Sequence, residues 1–173
     1  KIQGAINIAL KGLEALEYNN DPKKIISARP TEPTLINAVK FSRITDIETA
    51  RNYLIDAQNK IIEYGLEIIK NKRVIFTHCR SSSITKLLIK AKKQNYKFMV
   101  FNTETRPLYQ GRIASLELAK AKIKVTHLVD SLANEAISKA DIVLLGADMI
   151  NSKGEVINKT GSLTVARLAK VNK

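Results

Sequence analysis

The stretch Val74-Ile75-Phe76-Thr77-His78-Cys79-Arg80-Ser81-Ser82-Ser83 decides how the chain reads. Four β-formers lead through His78 to the only cysteine, and Ile84-Thr85-Lys86-Leu87-Leu88-Ile89 follows with helical spacing. That order predicts strand, tight turn, helix. In an open parallel sheet such a turn lies at the carboxyl edge of the strand, where ligands bind. The serines can cap the helix, whose free N–H groups and dipole attract anions. The same field lowers the pKa of a thiol placed in it. One turn thus offers a reactive sulfur and a phosphate cradle. On spacing alone, a small buried apolar role for Cys79 is an equal reading.

Downstream, near-continuous apolar runs at 74–77, 98–102, 125–129 and 142–146 alternate with helical patterns at 84–94, 113–121 and 131–138. Such alternation argues for an α/β fold with a parallel sheet buried on both faces. Asn151-Ser152-Lys153-Gly154 has the composition of a hairpin turn, and 160–171 reads as a last helix. The chain stops where a further strand is expected. Upstream of Arg73 the pattern is helical. Apolar spacing predicts a helix over 1–18, a short one opening at Pro33 or Thr34, and a long one over 46–70. Thr45 is the expected cap of the long helix, with Glu48 completing a capping box. Asn19-Asn20-Asp21-Pro22 reads as a stop. Two prolines in 27–34 predict an extended, rigid segment that fixes the direction of Arg29. Arg29 then reads as a surface charge or, more sharply, as an anion clamp.

The chain has 173 residues, is 45% hydrophobic and carries a net charge of +13. A lysine-rich solvated surface accounts for most of that charge. The sharper reading is attraction to a phosphorylated metabolite or to nucleic acid. With no Trp and scattered aromatics there is no stacking platform, so nucleic acid is not expected. A single cysteine excludes a disulfide framework and a multi-thiolate zinc site, and it fits a reducing, cytoplasmic interior. No metal ligand set is expected. No apolar run is long enough to span a bilayer and no signal peptide is evident. The Walker pattern and the dinucleotide glycine fingerprint are absent.

Three strand ends line up: Thr77-His78-Cys79-Arg80-Ser81, Thr103-Glu104-Thr105-Arg106-Pro107 with Gln110-Gly111, and Gly146-Ala147-Asp148. In a doubly wound sheet they share one edge, so Cys79 and Asp148 are expected to face each other across a crevice. A thiol and a carboxyl group suit paired proton transfers. Taken by itself, Asp148 reads more readily as a turn or cap residue. Asn158-Lys159-Thr160-Gly161-Ser162 offers charge and close approach before the last helix. Two helix N-termini on one face suit a bisphosphate, although caps alone explain both turns. His78 reads as packed rather than as a base, because neighbouring strand residues point to opposite faces. His127, inside the third strand, reads as a core histidine.

In this order, these motifs with Val129-Asp130-Ser131 resemble the family that joins ribose-1,5-bisphosphate isomerase, methylthioribose-1-phosphate isomerase and the alpha, beta and delta subunits of initiation factor 2B. The resemblance runs from Ile2 to the C-terminus. It implies a helical N-terminal domain (1–71) followed by a Rossmann-like domain (72–173), shortened at its end. It implies an isomerase acting between closed aldose and ketose sugar phosphates, with no cofactor, as a homodimer or higher homo-oligomer. Cys79 and Asp148 match the catalytic pair, which the regulatory subunits typically lack. Gln3, Gly4 and Ala5 match an N-terminal phosphate-binding turn. Arg29 matches a second anchor, and Ser81, Ser82, Asn158 and Lys159 match further substrate contacts. Ribose 1,5-bisphosphate is the implied substrate. The alternative is a non-catalytic regulatory subunit that engages initiation factor 2. Gln3 stands where the family usually has arginine, Ser82 where the bisphosphate enzymes often have lysine, and the segment between Tyr18 and Ser27 is shorter than usual.

Overall fold

A computed structural model describes residues 4–19 and 21–172. The described residues form two compact units, Lys1–Ile61 with Ala147–Ile157 and Ile62–Gly146 with Asn158–Lys173. Among them no helix is long and apolar enough to cross a membrane.

The first unit is helical. Helix α1 (Ala5–Asn19) buries Ala9, Leu13 and Leu16, the inward stripe of its 3.6-residue period. They pack on Leu35, Ala38 and Val39 of α3 (Pro33–Ile44) and on Ala50 of α4 (Ile47–Ile69). Arg51 of α4 donates to Glu17 of α1 at 2.8 Å. Between α1 and α3 lies a helix that the stop signal hid. Asp21 accepts from the Lys23 and Lys24 amides, both at 3.1 Å, and Pro22 fills the first position of α2 (Pro22–Ser27). A proline just inside a helix start has lost only an amide that would be unpaired there. The segment after it is a turn rather than extended: the Glu32 amide reaches the Arg29 carbonyl at 3.2 Å, with Pro30 at the corner. Proline's fixed φ suits that corner position as well as it suits an extended chain. The cap of α4 is Asp46 rather than Thr45. Its carboxylate takes the Thr49 amide at 2.8 Å and the Thr49 hydroxyl at 2.6 Å, while Thr45 donates back to the Phe41 carbonyl.

The second unit is built on four parallel strands in the order β3-β2-β1-β4. They are β1 (Val74–His78), β2 (Met99–Thr103), β3 (Lys124–Leu128) and β4 (Ile142–Leu144). Register runs Val74 to Met99 and Met99 to Lys124 on one side, and Ile75 to Ile142 on the other. Successive side chains of β1 enter different cores, as the two-residue period requires. Ile75 joins Ile69, Leu88, Val100 and Leu118, under α5 (Ser82–Lys93) and α6 (Gln110–Lys120). Phe76 joins Ala136, Ile137 and Val165, under α7 (Ala133–Ile137) and α8 (Ser162–Val171). The chain thus winds β1-β2-β3 one way and returns to place β4 on the other side of β1. The carboxyl ends of β1 and β4 flank that switch point, where open α/β sheets bind ligands.

The expected hairpin is present as β5 (Met149–Ile150) paired antiparallel with β6 (Val156–Ile157). Asn151 shapes its turn: its side-chain oxygen accepts from the Lys153 and Glu155 amides at 3.0 and 2.9 Å. Gly154, at φ +78°, supplies the left-handed residue.

Candidate functional site

The strand ends of the second unit carry most of the expected side chains. Cys79 is the first residue past β1 and lies in left-handed backbone at φ +68°. The pleat therefore stops at His78, and alternation does not decide where the sulfur points. Cys79 is buried, at 9% exposure. Its amide donates to the Thr105 hydroxyl at 2.8 Å. Arg80 makes a two-pronged ion pair with Glu117 of α6, Nη2 to Oε1 at 2.7 Å and Nε to Oε2 at 3.2 Å. Its charge is committed to holding the turn on the helix behind it.

Ser81 is the cap of α5, accepting the Ile84 amide at 3.4 Å, and Ser82 is that helix's first residue. The first-turn amides of any helix lack intrahelical partners. A Cβ on Gly146, past the end of β4, would lie 3.1 Å from Ser81 Oγ and 3.8 Å from Asn158 Oδ1. Ser81, Gly146 and Asn158 thus converge, and glycine keeps the space between the two polar side chains open. Asn158 Nδ2 donates to Ser162 Oγ at 2.7 Å, at the start of α8. Lys159 is half-buried, and its carbonyl accepts the Ser162 amide at 3.0 Å.

His78 is packed, as read from the sequence. Nε2 donates to the Thr160 carbonyl at 2.9 Å, and Nδ1 meets Thr103 Oγ1 at 2.6 Å. A carbonyl only accepts, so Nε2 carries a proton. Gly161 approaches the ring so closely that a Cβ there would lie 2.6 Å from Nε2. The glycine stands at φ +99° and links the end of β1 to the start of α8. Gly111 serves the same purpose for α6, where a Cβ would lie 1.8 Å from the Thr103 carbonyl oxygen. His127 departs from the reading as a core residue. It is exposed on β3, an edge strand, with Nδ1 2.9 Å from Ser115 Oγ.

The end of β3 supplies a residue that sequence reasoning passed over. Asp130 accepts the Thr105 and Arg106 amides, each at 2.8 Å. Burial pushes its carboxyl up, and the Arg106 and Thr105 amides, the Thr103 hydroxyl and His78 outweigh it, so its pKa is lowered. A signal existed: Val129-Asp130-Ser131 closes a strand, as the three weighed ends do.

The remaining expected residues belong to the first unit. Gly4 stands at φ +89° directly before α1; its carbonyl accepts the Ile8 amide at 2.9 Å, and Ala5 is the helix's first residue. Gln3 lies outside the described residues. Arg29 is half-buried in its turn. Asp148 is exposed at the root of the hairpin, its amide bonded to the Ile157 carbonyl at 2.9 Å. Glu32, which the sequence did not single out, feels its charge. Burial first, and then Asp148, push the Glu32 carboxyl above its usual range, while Arg29 pulls it down. Among the described residues no cluster of His, Cys, Asp and Glu is arranged to hold a metal ion.

Comparison with known proteins finds matches that run across both units. The model of the Initiation factor 2 subunit family matches residues 31–173. A ribose 1,5-bisphosphate isomerase from Archaeoglobus fulgidus is 35% identical, the match covering 98% of this chain and 63% of the relative. One from Thermococcus kodakarensis is 34% identical, over 89% of this chain and 54% of the relative. This chain thus spans less than two thirds of either relative's length. A crystal structure of translation initiation factor eIF-2B from Pyrococcus horikoshii superposes with a TM-score of 0.87 at 25% identity, covering 99% of this chain and 70% of that one.

Proposed function

The chain belongs to the initiation factor 2 subunit family, and from that premise we propose that it acts in the isomerisation of ribose 1,5-bisphosphate to ribulose 1,5-bisphosphate. The observation that carries the reading is the convergence of Ser81, Gly146 and Asn158 beside the cysteine-bearing strand end, at the switch point of the sheet. The helix start at Ser81 and Ser82, with Asn158 and Lys159, suits one phosphate. Gly4, Ala5 and Arg29 enter the proposal through the family resemblance alone.

In this reading Asp148 gives a proton to the ring oxygen as the C1–ring oxygen bond breaks. Cys79, as thiolate, takes the proton from C2 to leave an enol, then returns it to C1, while ionised Asp148 takes the proton of the C2 hydroxyl as that group becomes the ketone. The bond changes balance within the sugar, so no redox partner is required. General acid–base work of this kind contributes about 10²–10⁴-fold per group. Burial by itself works against a thiolate at Cys79, so the reading relies on the dipole at the start of α5 to favour the charge, while the exposure of Asp148 leaves it accessible to a ligand.

A second reading, a non-catalytic subunit that engages initiation factor 2, draws on the structural likeness to the P. horikoshii factor. Incubation of the purified protein with ribose 1,5-bisphosphate decides between them. Appearance of the ketose, lost in Cys79→Ser, supports the isomerase. No ketose, together with recovery of initiation factor 2 in a pull-down, replaces it with the second reading. Either reading carries a homo-oligomer acting in the cytoplasm, the former checked by light scattering.

A further inference from the structure

Three strand ends of the second unit are tied in series by hydrogen bonds that no feature of the sheet demands. Cys79, after β1, stands at φ +68°, and Thr105, after β2, stands at φ +60°. A β-branched residue in left-handed backbone is an outlier that persists only when its surroundings hold it. What holds Thr105 comes from the end of β3: one Asp130 oxygen takes the Thr105 amide and the other takes the Arg106 amide, each at 2.8 Å. Thr105 passes the constraint on. Its hydroxyl donates to the Thr103 carbonyl at 3.3 Å and accepts the Cys79 amide at 2.8 Å. Thr105 is fully buried, so water does not replace these bonds. A hydroxyl with one proton and one filled acceptor position has a fixed direction.

We infer that Asp130 and Thr105 are positioning residues for Cys79: together they fix the left-handed turn from which the sulfur is presented. The inference rests on the catalytic reading of Cys79, but its main test does not. Substrate contact is not part of their role. Asp130 acts on Thr105, and Thr105 acts on the backbone of Cys79. Arg80, by contrast, anchors the same turn from the helix side through Glu117.

Cys79 is the only thiol in the chain, so its alkylation by iodoacetamide reports this turn alone. Thr105→Val removes the hydroxyl at nearly constant shape, Thr105→Ser keeps it, and Asp130→Asn removes the carboxylate that spans two amides. Each is compared with the parent at fixed pH, with circular dichroism to check that it is folded. Losing one buried hydrogen bond makes local opening about fivefold to tenfold more frequent, and alkylation of a buried thiol follows the opening. The expected result is that increase in Thr105→Val and Asp130→Asn, with Thr105→Ser close to the parent. Unchanged alkylation in both Thr105→Val and Asp130→Asn overturns the inference. So does equal acceleration in Thr105→Val and Thr105→Ser, because the hydroxyl would then not be the link. With ribose 1,5-bisphosphate, kcat should fall in Thr105→Val and return in Thr105→Ser while KM stays within about twofold. A raised KM at constant kcat also overturns the inference, since it would make Thr105 a substrate holder. If the parent gives no ketose, the proposed function fails while the alkylation series still decides the positioning.

Discussion

The two units place their chemistry in opposite ways. The second seats it in buried polar structure: Thr77, His78, Asn102, Thr103 and Thr105 are all buried at or near the carboxyl ends of β1 and β2. The first has an aliphatic core of Leu13, Leu35, Ala38 and Val39, and its carboxylate of interest, Asp148, stands exposed on a two-stranded hairpin. Their carboxylates differ in the same sense. Asp130 receives amide donors that favour its charge, whereas burial and the Asp148 charge work against ionised Glu32. Buried polar networks rigidify when every member is satisfied. An exposed carboxylate on a hairpin is free to change partners. The difference teaches that the Cys79 turn is held by buried hydrogen bonds within its own unit, whereas Asp148 stands exposed on the hairpin of its own.

The largest test of that contrast is catalytic. Cys79→Ser and Asp148→Asn should each lower turnover of ribose 1,5-bisphosphate by about 10³-fold or more, within the range of acid–base groups. They should differ in stability: Asp148→Asn does not lower the urea midpoint, because its side chain is exposed and its charge opposes that of Glu32. A fall in that midpoint would show that Asp148 is structural.

Next in size are the cores. Phe76→Ala in the second unit should cost about 3–5 kcal/mol, and Leu13→Ala in the first about 2–5 kcal/mol, read from urea unfolding. Both side chains are fully buried. Equal small losses would mean that the sites relax more than dense packing allows.

Gly161→Ala should cost about 1–3 kcal/mol, since it combines left-handed backbone with a collision against His78 Nε2. The His78 ring resonances should move with it. A neutral Gly161→Ala would mean that the imidazole yields, and that the second unit is softer at its strand ends than its hydrogen bonds suggest.

The smallest effect separates the two carboxylates by pH. Asp130 has a lowered folded-state pKa, so its stabilisation is complete above the unfolded value of about 3.9 and is lost as pH falls through the folded value. Glu32 has a raised one. Its ionisation therefore weakens the fold above the folded value, and acid relieves this as pH falls from that value toward about 4.3. Carboxyl NMR titration should show Glu32 above and Asp130 below their usual ranges. Asp148→Asn should lower the Glu32 value, and an unmoved Glu32 would remove the coupling.

Local pattern went far in this chain. The runs at 74–77, 98–102, 125–129 and 142–146 fall on β1 to β4 within a residue or two, because buried parallel strands need unbroken apolar stretches. Where two rules competed at short range the reading slipped. Asp21-Pro22 signals both a stop and a start, and α2 is only one and a half turns long. Thr45 and Asp46 are both cap residues, and only the path of the backbone selects Asp46.

What the residues alone determined is therefore the alternation of elements, the cysteine turn with its serine cap, and Gly161 as a point of close approach; the contacts that demand glycine at 111 and 146 came from the structure. Tertiary structure decided the rest: that the hairpin bearing Asp148 groups with the helical unit, and that Asp130 holds Thr105, which in turn holds Cys79. Periodicity and capping act over a few residues and are written in neighbouring letters. Hydrogen bonds spanning 25 and 26 residues depend on how strands are ordered in space, and no local spacing encodes that order.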